Sequence, residues 1–153
     1  MDAELFERAR AVRENAHAPY SRFHVGAALR TEDGHVFAGA NVENAAYPEG
    51  WCAETSAIGA MIAAGNAPAG RRIAAVVVVA DRVDGGIVCT PCGGCRQRLR
   101  EFSSERTVIE CLDPAGLGQA FGMADLLPSG FRLESAGGES AARRGQTQPP
   151  STT

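Results

Sequence analysis

Residues 73–80 read Ile-Ala-Ala-Val-Val-Val-Val-Ala, an unbroken apolar run. A strand with one wet face alternates apolar and polar residues, so a continuous run belongs to a central strand covered on both faces. Helices must supply the covers. On the N-terminal side, Leu5, Ala9, Val12 and Ala16 recur at spacings of four, three and four. That spacing predicts an opening helix, which stops near His17 and Ala18 because Pro19 disfavours helix in the residue before it. Two short apolar stretches follow, Val25 to Leu29 and Val36 to Ala40, separated by Thr31-Glu32-Asp33-Gly34. The Asp-Gly pair there is a hairpin signal. A loop from Asn41 to Gly50 then leads to a second helix over about Cys52 to Ala64. Beyond the central run, a third helix is expected from near Cys92 to about Phe102, and a strand from Thr107 to Leu112. A turn at Asp113-Pro114-Ala115-Gly116 precedes a weak edge strand over Leu117 to Met123, thinned by Gly118, Ala120 and Gly122. Helices alternating with strands around one core give an α/β domain in three α/β/α layers. From Gly137 to Thr153 only Ala141 and Ala142 are aliphatic. The expected organisation is therefore one domain over residues 1–136 and a disordered tail over 137–153.

The chain has 153 residues, enough for one domain with a substantial core. Its 15 basic residues, all Arg, stand against 18 acidic ones, giving a net charge of −3. This balance argues against a protein that grips nucleic acid or an anionic membrane. Without Lys, Schiff-base chemistry and a P-loop are excluded. The apolar run at 73–80 is far too short to span a bilayer. The acidic start Met1-Asp2-Ala3-Glu4 lacks the features of a signal peptide. A cytoplasmic location is expected.

A reducing compartment disfavours disulfides, so the five cysteines need another reading. Cys52 stands alone, Cys89, Cys92 and Cys95 cluster, and Cys111 follows. No His (17, 24 or 35) lies near a cysteine in sequence. On the second helix, Glu54 shares a face with Ile58, Met61 and Ile62, a costly place for a carboxylate unless something satisfies it. A first-turn Glu favoured by the helix dipole and reaching water is the plainer alternative. On the third helix, Cys92 and Cys95 lie three apart behind Pro91, at a start where the dipole stabilises thiolates. A pair of small buried hydrophobes would carry the same spacing.

The combination is more specific than either part. Cys52-Ala53-Glu54 at one helix start and Pro91-Cys92-Gly93-Gly94-Cys95 at another supply three thiolates and a carboxylate. Three protein ligands leave a fourth zinc position open, the catalytic arrangement, and three Cys with a Glu proton shuttle is a zinc-deaminase signature. Cys89 and Cys111 are expected to be packing residues in or beside apolar strands, and His24 is given no catalytic role.

With these motifs the chain resembles the homotetrameric cytidine deaminases that act on free nucleosides. The likeness runs from Pro19 to Phe131, through Pro19-Tyr20-Ser21-x-Phe23-x-Val25-Gly26-Ala27-Ala28-Leu29 and Asn41-Val42-Glu43-Asn44-Ala45-Ala46-Tyr47-Pro48. It continues through Cys52-Ala53-Glu54, Pro91-Cys92-Gly93-x-Cys95-Arg96-Gln97 and Leu126-Leu127-Pro128. The resemblance implies a cytidine-deaminase-like fold with a mixed sheet of about five strands. It implies one Zn²⁺ per chain on Cys52, Cys92 and Cys95, with Glu54 as general acid and base. Asn41 and Glu43 would hold the ribose hydroxyls, Phe23 would form a wall of the base pocket, and Ala45 and Ala53 would belong to the substrate site. Tyr47 and Phe131 would be shared with neighbouring subunits of a homotetramer. The implied reaction is deamination of cytidine and deoxycytidine to uridine and deoxyuridine, with release of ammonia, in pyrimidine salvage. Loop capping by Asn41 and Glu43, and core packing by Phe23 and Phe131, are the alternatives for those residues.

One departure stands out. The family often carries Arg after the Glu of Cys-Ala-Glu, and here the residue is Thr55. Zn²⁺ with three thiolates bears a net charge of about −1. Either the two helix N-termini offset it, or another arginine such as Arg96 does. Rival readings are a deaminase of another aminopyrimidine nucleoside such as blasticidin S, a polynucleotide deaminase, and a non-enzymatic zinc or iron–sulfur protein. The intact Asn41-Val42-Glu43-Asn44 loop favours a plain ribose or deoxyribose. No basic stripe is present to track phosphates. The iron–sulfur run lacks its next cysteine, since Arg98, Leu99 and Arg100 occupy that stretch.

Overall fold

The computed structural model describes residues 1–65 and 68–133. The expected tail over 137–153 lies outside the described residues. The central run forms β3 (Ile73–Ala80), with the bounds the sequence predicts. It stands in the middle of a five-stranded sheet whose strands lie in the order 36–40, 25–31, 73–80, 103–112 and 118–122. Strands β1 (Val25–Thr31) and β2 (Val36–Ala40) form the expected hairpin, turning at Gly34 with φ +91°. β1 runs antiparallel to β3, and β3 runs parallel to β4 (Ser103–Leu112). β5 (Gly118–Gly122) closes the edge antiparallel to β4.

The continuous apolar run is explained by the two clusters it feeds. Val76 and Val78 face one side with Ala27, Leu29, Ile109 and Cys111. Val77 and Val79 face the other with Ala28 and Leu112. Helix α1 (Ala3–Arg13) covers the second side with Leu5, Phe6 and Ala9. Its start is capped by the Asp2 carboxylate, which accepts from the Leu5 amide at 3.2 Å. Helices α2 (Ala53–Ala63), α3 (Gly93–Phe102) and the short α4 (Met123–Leu126) cover the first side. This is the three-layer α/β/α arrangement, with the helices close in. A Cβ at Gly39 would collide with the backbone of α2 at Ala57.

Several boundaries differ from expectation for physical reasons. α1 ends at Arg13, short of Pro19, because His17 leaves the helix to bridge Val42, donating to Asn41 O at 3.0 Å and accepting from Glu43 N at 2.7 Å. β4 begins at Ser103 rather than Thr107, since α3 passes directly into it without a loop. Met123 opens α4 instead of ending β5, with Asp125 accepting from the Gly122 amide at 2.8 Å. No helix among the described residues is long and apolar enough to cross a membrane.

Candidate active site

Two helix starts meet at the end of the sheet where β3 and β4 finish. Cys52 is the N-cap residue of α2 and Cys92 that of α3, both with extended backbone and no side-chain cap. Each leaves its helix's first amides without a side-chain partner. Cys95, one turn into α3, is fully buried and points to the same place. Among the described residues these three form the cluster able to hold a metal, their sulfurs all within 4.8 Å of one another. Cys52 and Cys92 Sγ lie 3.6 Å apart. Tetrahedral zinc with Zn–S bonds of about 2.3 Å sets sulfurs about 3.8 Å apart, so the donor set fits that ion. Neither Cys89 nor Cys111 belongs to the cluster, so a closed four-cysteine site is not formed.

Glu54 is 4% exposed, and its Oε2 accepts from the Cys95 thiol at 3.4 Å. Burial pushes its pKa up, against the pull of its own backbone amide, of the Cys95 hydrogen bond and of the more distant Arg98 charge. The first-turn carboxylate therefore does not reach water. It shares the buried face of α2 with Ile58 and Met61, while Ile62 turns outward. The thiols share protons unequally. A hydrogen bond from Cys95 brings Cys52 down to about 6, with Cys92 contributing a second. Cys95 is held well above the ordinary thiol range by that same bond and by burial. Cys111 is buried in β4 as expected, and burial raises its pKa to about 12. Cys89 is half-buried on the segment before α3 rather than in a strand, and burial pushes its pKa up.

A cavity of about 550 Å³ opens beside Cys52 and Ala53 and is lined also by Asn41, Glu43 and Tyr47. Phe23 is half-buried and, like Ala45, lies off that lining. Asn41 and Glu43 brace the loop before β1. The Val25 amide donates to Asn41 Oδ1 at 2.8 Å, and Asn41 Nδ2 donates to Phe23 O at 3.0 Å. Glu43 Oε2 accepts from the Tyr20 and Ser21 amides at 2.9 and 3.2 Å. A hydrogen bond from the Ser21 side chain, with the two amides adding to it, holds this carboxyl below the usual carboxylate range. Bracing leaves Asn41 one amide proton and one lone pair, and leaves Glu43 its second oxygen.

Tyr47 and Phe131 are 75% and 67% exposed. Phe131 is held by a two-way amide exchange with Gln97, at 2.9 and 3.2 Å. Sequence reasoning missed Tyr20 and Trp51 on the cavity lining. The Trp51 indole donates to Ser56 Oγ at 2.9 Å, and Ser56 in turn donates to Ala40 O at 2.8 Å. Its place directly before Cys52, as the chain's lone Trp, was the available signal. Arg96 makes no hydrogen bond to the cysteine sulfurs. Its guanidinium is spent on Pro91 O, Leu126 O and Thr90 Oγ1 at 2.7, 2.9 and 3.0 Å, tying α3 to α4.

A family model described as the cytidine and deoxycytidylate deaminase zinc-binding region matches residues 1–111. A cytidine deaminase of Sporosarcina psychrophila is 38% identical over 135 residues, covering 88% of this chain and 94% of the relative. One from Halalkalibacterium halodurans is 39% identical over 130 residues, with 85% and 93% covered. Among solved structures, the cytidine deaminase of Burkholderia pseudomallei superposes with a TM-score of 0.76 at 42% identity, covering 86% of this chain and 99% of that one.

Proposed function

This chain belongs to the cytidine and deoxycytidylate deaminase family, and on that premise we propose that it deaminates cytidine and deoxycytidine to uridine and deoxyuridine. It is a zinc-dependent hydrolytic deaminase. The observation that carries the reading is the meeting of three cysteine sulfurs within 4.8 Å at two helix starts, with the buried Glu54 against Cys95.

Cys52, Cys92 and Cys95 would hold the ion. Bound zinc supplies Lewis acidity that makes water nucleophilic near neutral pH. Glu54 takes the proton from that water as its oxygen adds to C4 of the pyrimidine, and passes it to N3. Glu54 would then take the remaining proton from the new C4 hydroxyl and hand it to the amine, so that the C4–N4 bond breaks, ammonia leaves and the 4-oxo group forms. A carboxyl whose pKa is raised by burial suits both halves of this task. The remaining proton and lone pairs of Asn41 and Glu43 would bind the ribose hydroxyls. Ala53 and Ala45 belong to the substrate site, and Phe23 walls the base. Tyr47 and Phe131, both exposed aromatics, reach sites of neighbouring subunits in a homotetramer. The protein works in the cytoplasm, in pyrimidine salvage, through one catalytic domain over residues 1–136.

Ultraviolet-monitored turnover of cytidine and deoxycytidine, with metal analysis of the same sample, tests this. The expected result is conversion of both at one zinc per chain, lost on chelation and restored by zinc. A zinc-loaded protein that converts neither overturns the substrate assignment and moves it to another aminopyrimidine nucleoside.

A further inference from the structure

Three thiolates around a dication leave about one net negative charge, which an enzyme that must ionise water there has to offset. Thr55 brings a hydroxyl 3.8 Å from Cys95 Sγ, but no charge. Arg96 is committed to three oxygens elsewhere. Arg98 is different. It lies one turn beyond Gly94 on α3, and helical side chains lean toward the N-terminus. Its Nη1 lies 2.8 Å from where a Cβ on Gly94 would stand. The guanidinium is therefore folded back over the helix start that carries Cys92 and Cys95, in space that the glycine leaves open.

A cation at a helix N-terminus opposes the macrodipole, so an anionic neighbour must favour it. No hydrogen bond or ion pair engages Arg98 among the described residues. We infer that Arg98 is the positioning charge of the metal centre, stabilising the zinc–thiolate set from outside its ligand shell, with Gly94 as the gap that admits it. The inference rests on the zinc-deaminase reading above.

The test is zinc affinity, measured on the full chain by competition with a chromophoric chelator for wild type, Arg98→Gln and Arg98→Lys, at low and high salt. Arg98→Gln should bind zinc about tenfold more weakly at low salt, the range found when groups supporting metal ligands are removed. The gap should narrow at high salt, because Arg98 is exposed and its charge is screened. Arg98→Lys should keep most of the affinity. Wild-type affinity in Arg98→Gln, or a loss in Arg98→Lys as large as in Arg98→Gln, overturns the inference alone. A wild-type chain that takes up no zinc overturns the deaminase reading along with it.

Discussion

On the α1 side of the sheet, Leu5, Phe6 and Ala9 close over Ala28, Val77, Val79 and Leu112 in a wholly apolar cluster. On the α2–α3 side, the alternate positions of the same strands carry a larger cluster that includes Cys111. That layer also holds the buried Cys95 and Glu54. The strands supply Val, Leu and Ala to both sides, so the difference does not come mainly from them. It comes from the helix starts: that of α1 is capped by the Asp2 carboxylate, whereas those of α2 and α3 carry no side-chain cap. A buried carboxylate is tolerable only where donors reach it, and the Cys95 thiol together with Glu54's own amide at the start of α2 provides that. One side of the sheet supplies stability and the other holds the chemistry.

The sharpest way to break that division is Glu54→Gln. It should lower kcat about a thousandfold, the middle of the range for general acid–base groups, while zinc content stays at one per chain. Turnover beside metal analysis checks this, and an active variant would leave the chemical side without its acid. On the other side, Leu5→Ala removes a fully buried side chain. It should cost about 3 kcal/mol of stability in denaturant melts and leave kcat of the folded, zinc-loaded enzyme unchanged. A fall in kcat there would show that α1 shapes the site after all.

The smallest effect is expected at Asp113, away from both layers. Its Oδ1 accepts from Ala115 N and Leu117 N, and Arg82 Nε donates to its Oδ2 at 2.8 Å. The Leu117 backbone bond, and then Arg82, hold its pKa below the ordinary value. A carboxyl depressed on folding stabilises above its unfolded pKa, and that contribution is lost as pH falls through the lower folded value. Asp113→Asn should therefore melt slightly below wild type at pH 6, with the gap closing as the pH drops below about 4. A gap independent of pH would remove Asp113 from the acid limb of stability.

The elements legible in sequence were those whose pattern is local. β2 and β3 keep their predicted ends because their apolar runs stop where the strands stop. β4 was cut short because Ser103 to Arg106 are polar, and nothing local says that a strand can begin directly on a helix end. α4 was unreadable, since four residues carry no period and Met123 reads as the end of the edge strand. At the site, Cys52, Cys92, Cys95 and Glu54 were legible because spacing along a helix places them. Trp51 and Arg98 were not, because one acts through an indole bond to Ser56 and the other by reaching back along α3. Asn41 and Glu43 proved to brace the loop before β1 as well as to line the cavity, so the two readings of them were never exclusive.

Cys52 and Cys92 stand 40 residues apart, and β3, the middle strand of the sheet, lies between them. An ion gripping both would clasp the ends of that segment into a ring. A covalent tie of similar span takes about 4 kcal/mol of chain entropy from the unfolded state in the loop-closure account. With the clasp shut, drawing the central strand from the sheet would gain less chain entropy than with it open. Loading the ion thus guards the architecture that positions it, and a protease working on the stripped protein should find the connection ahead of α3 sooner than in the loaded one.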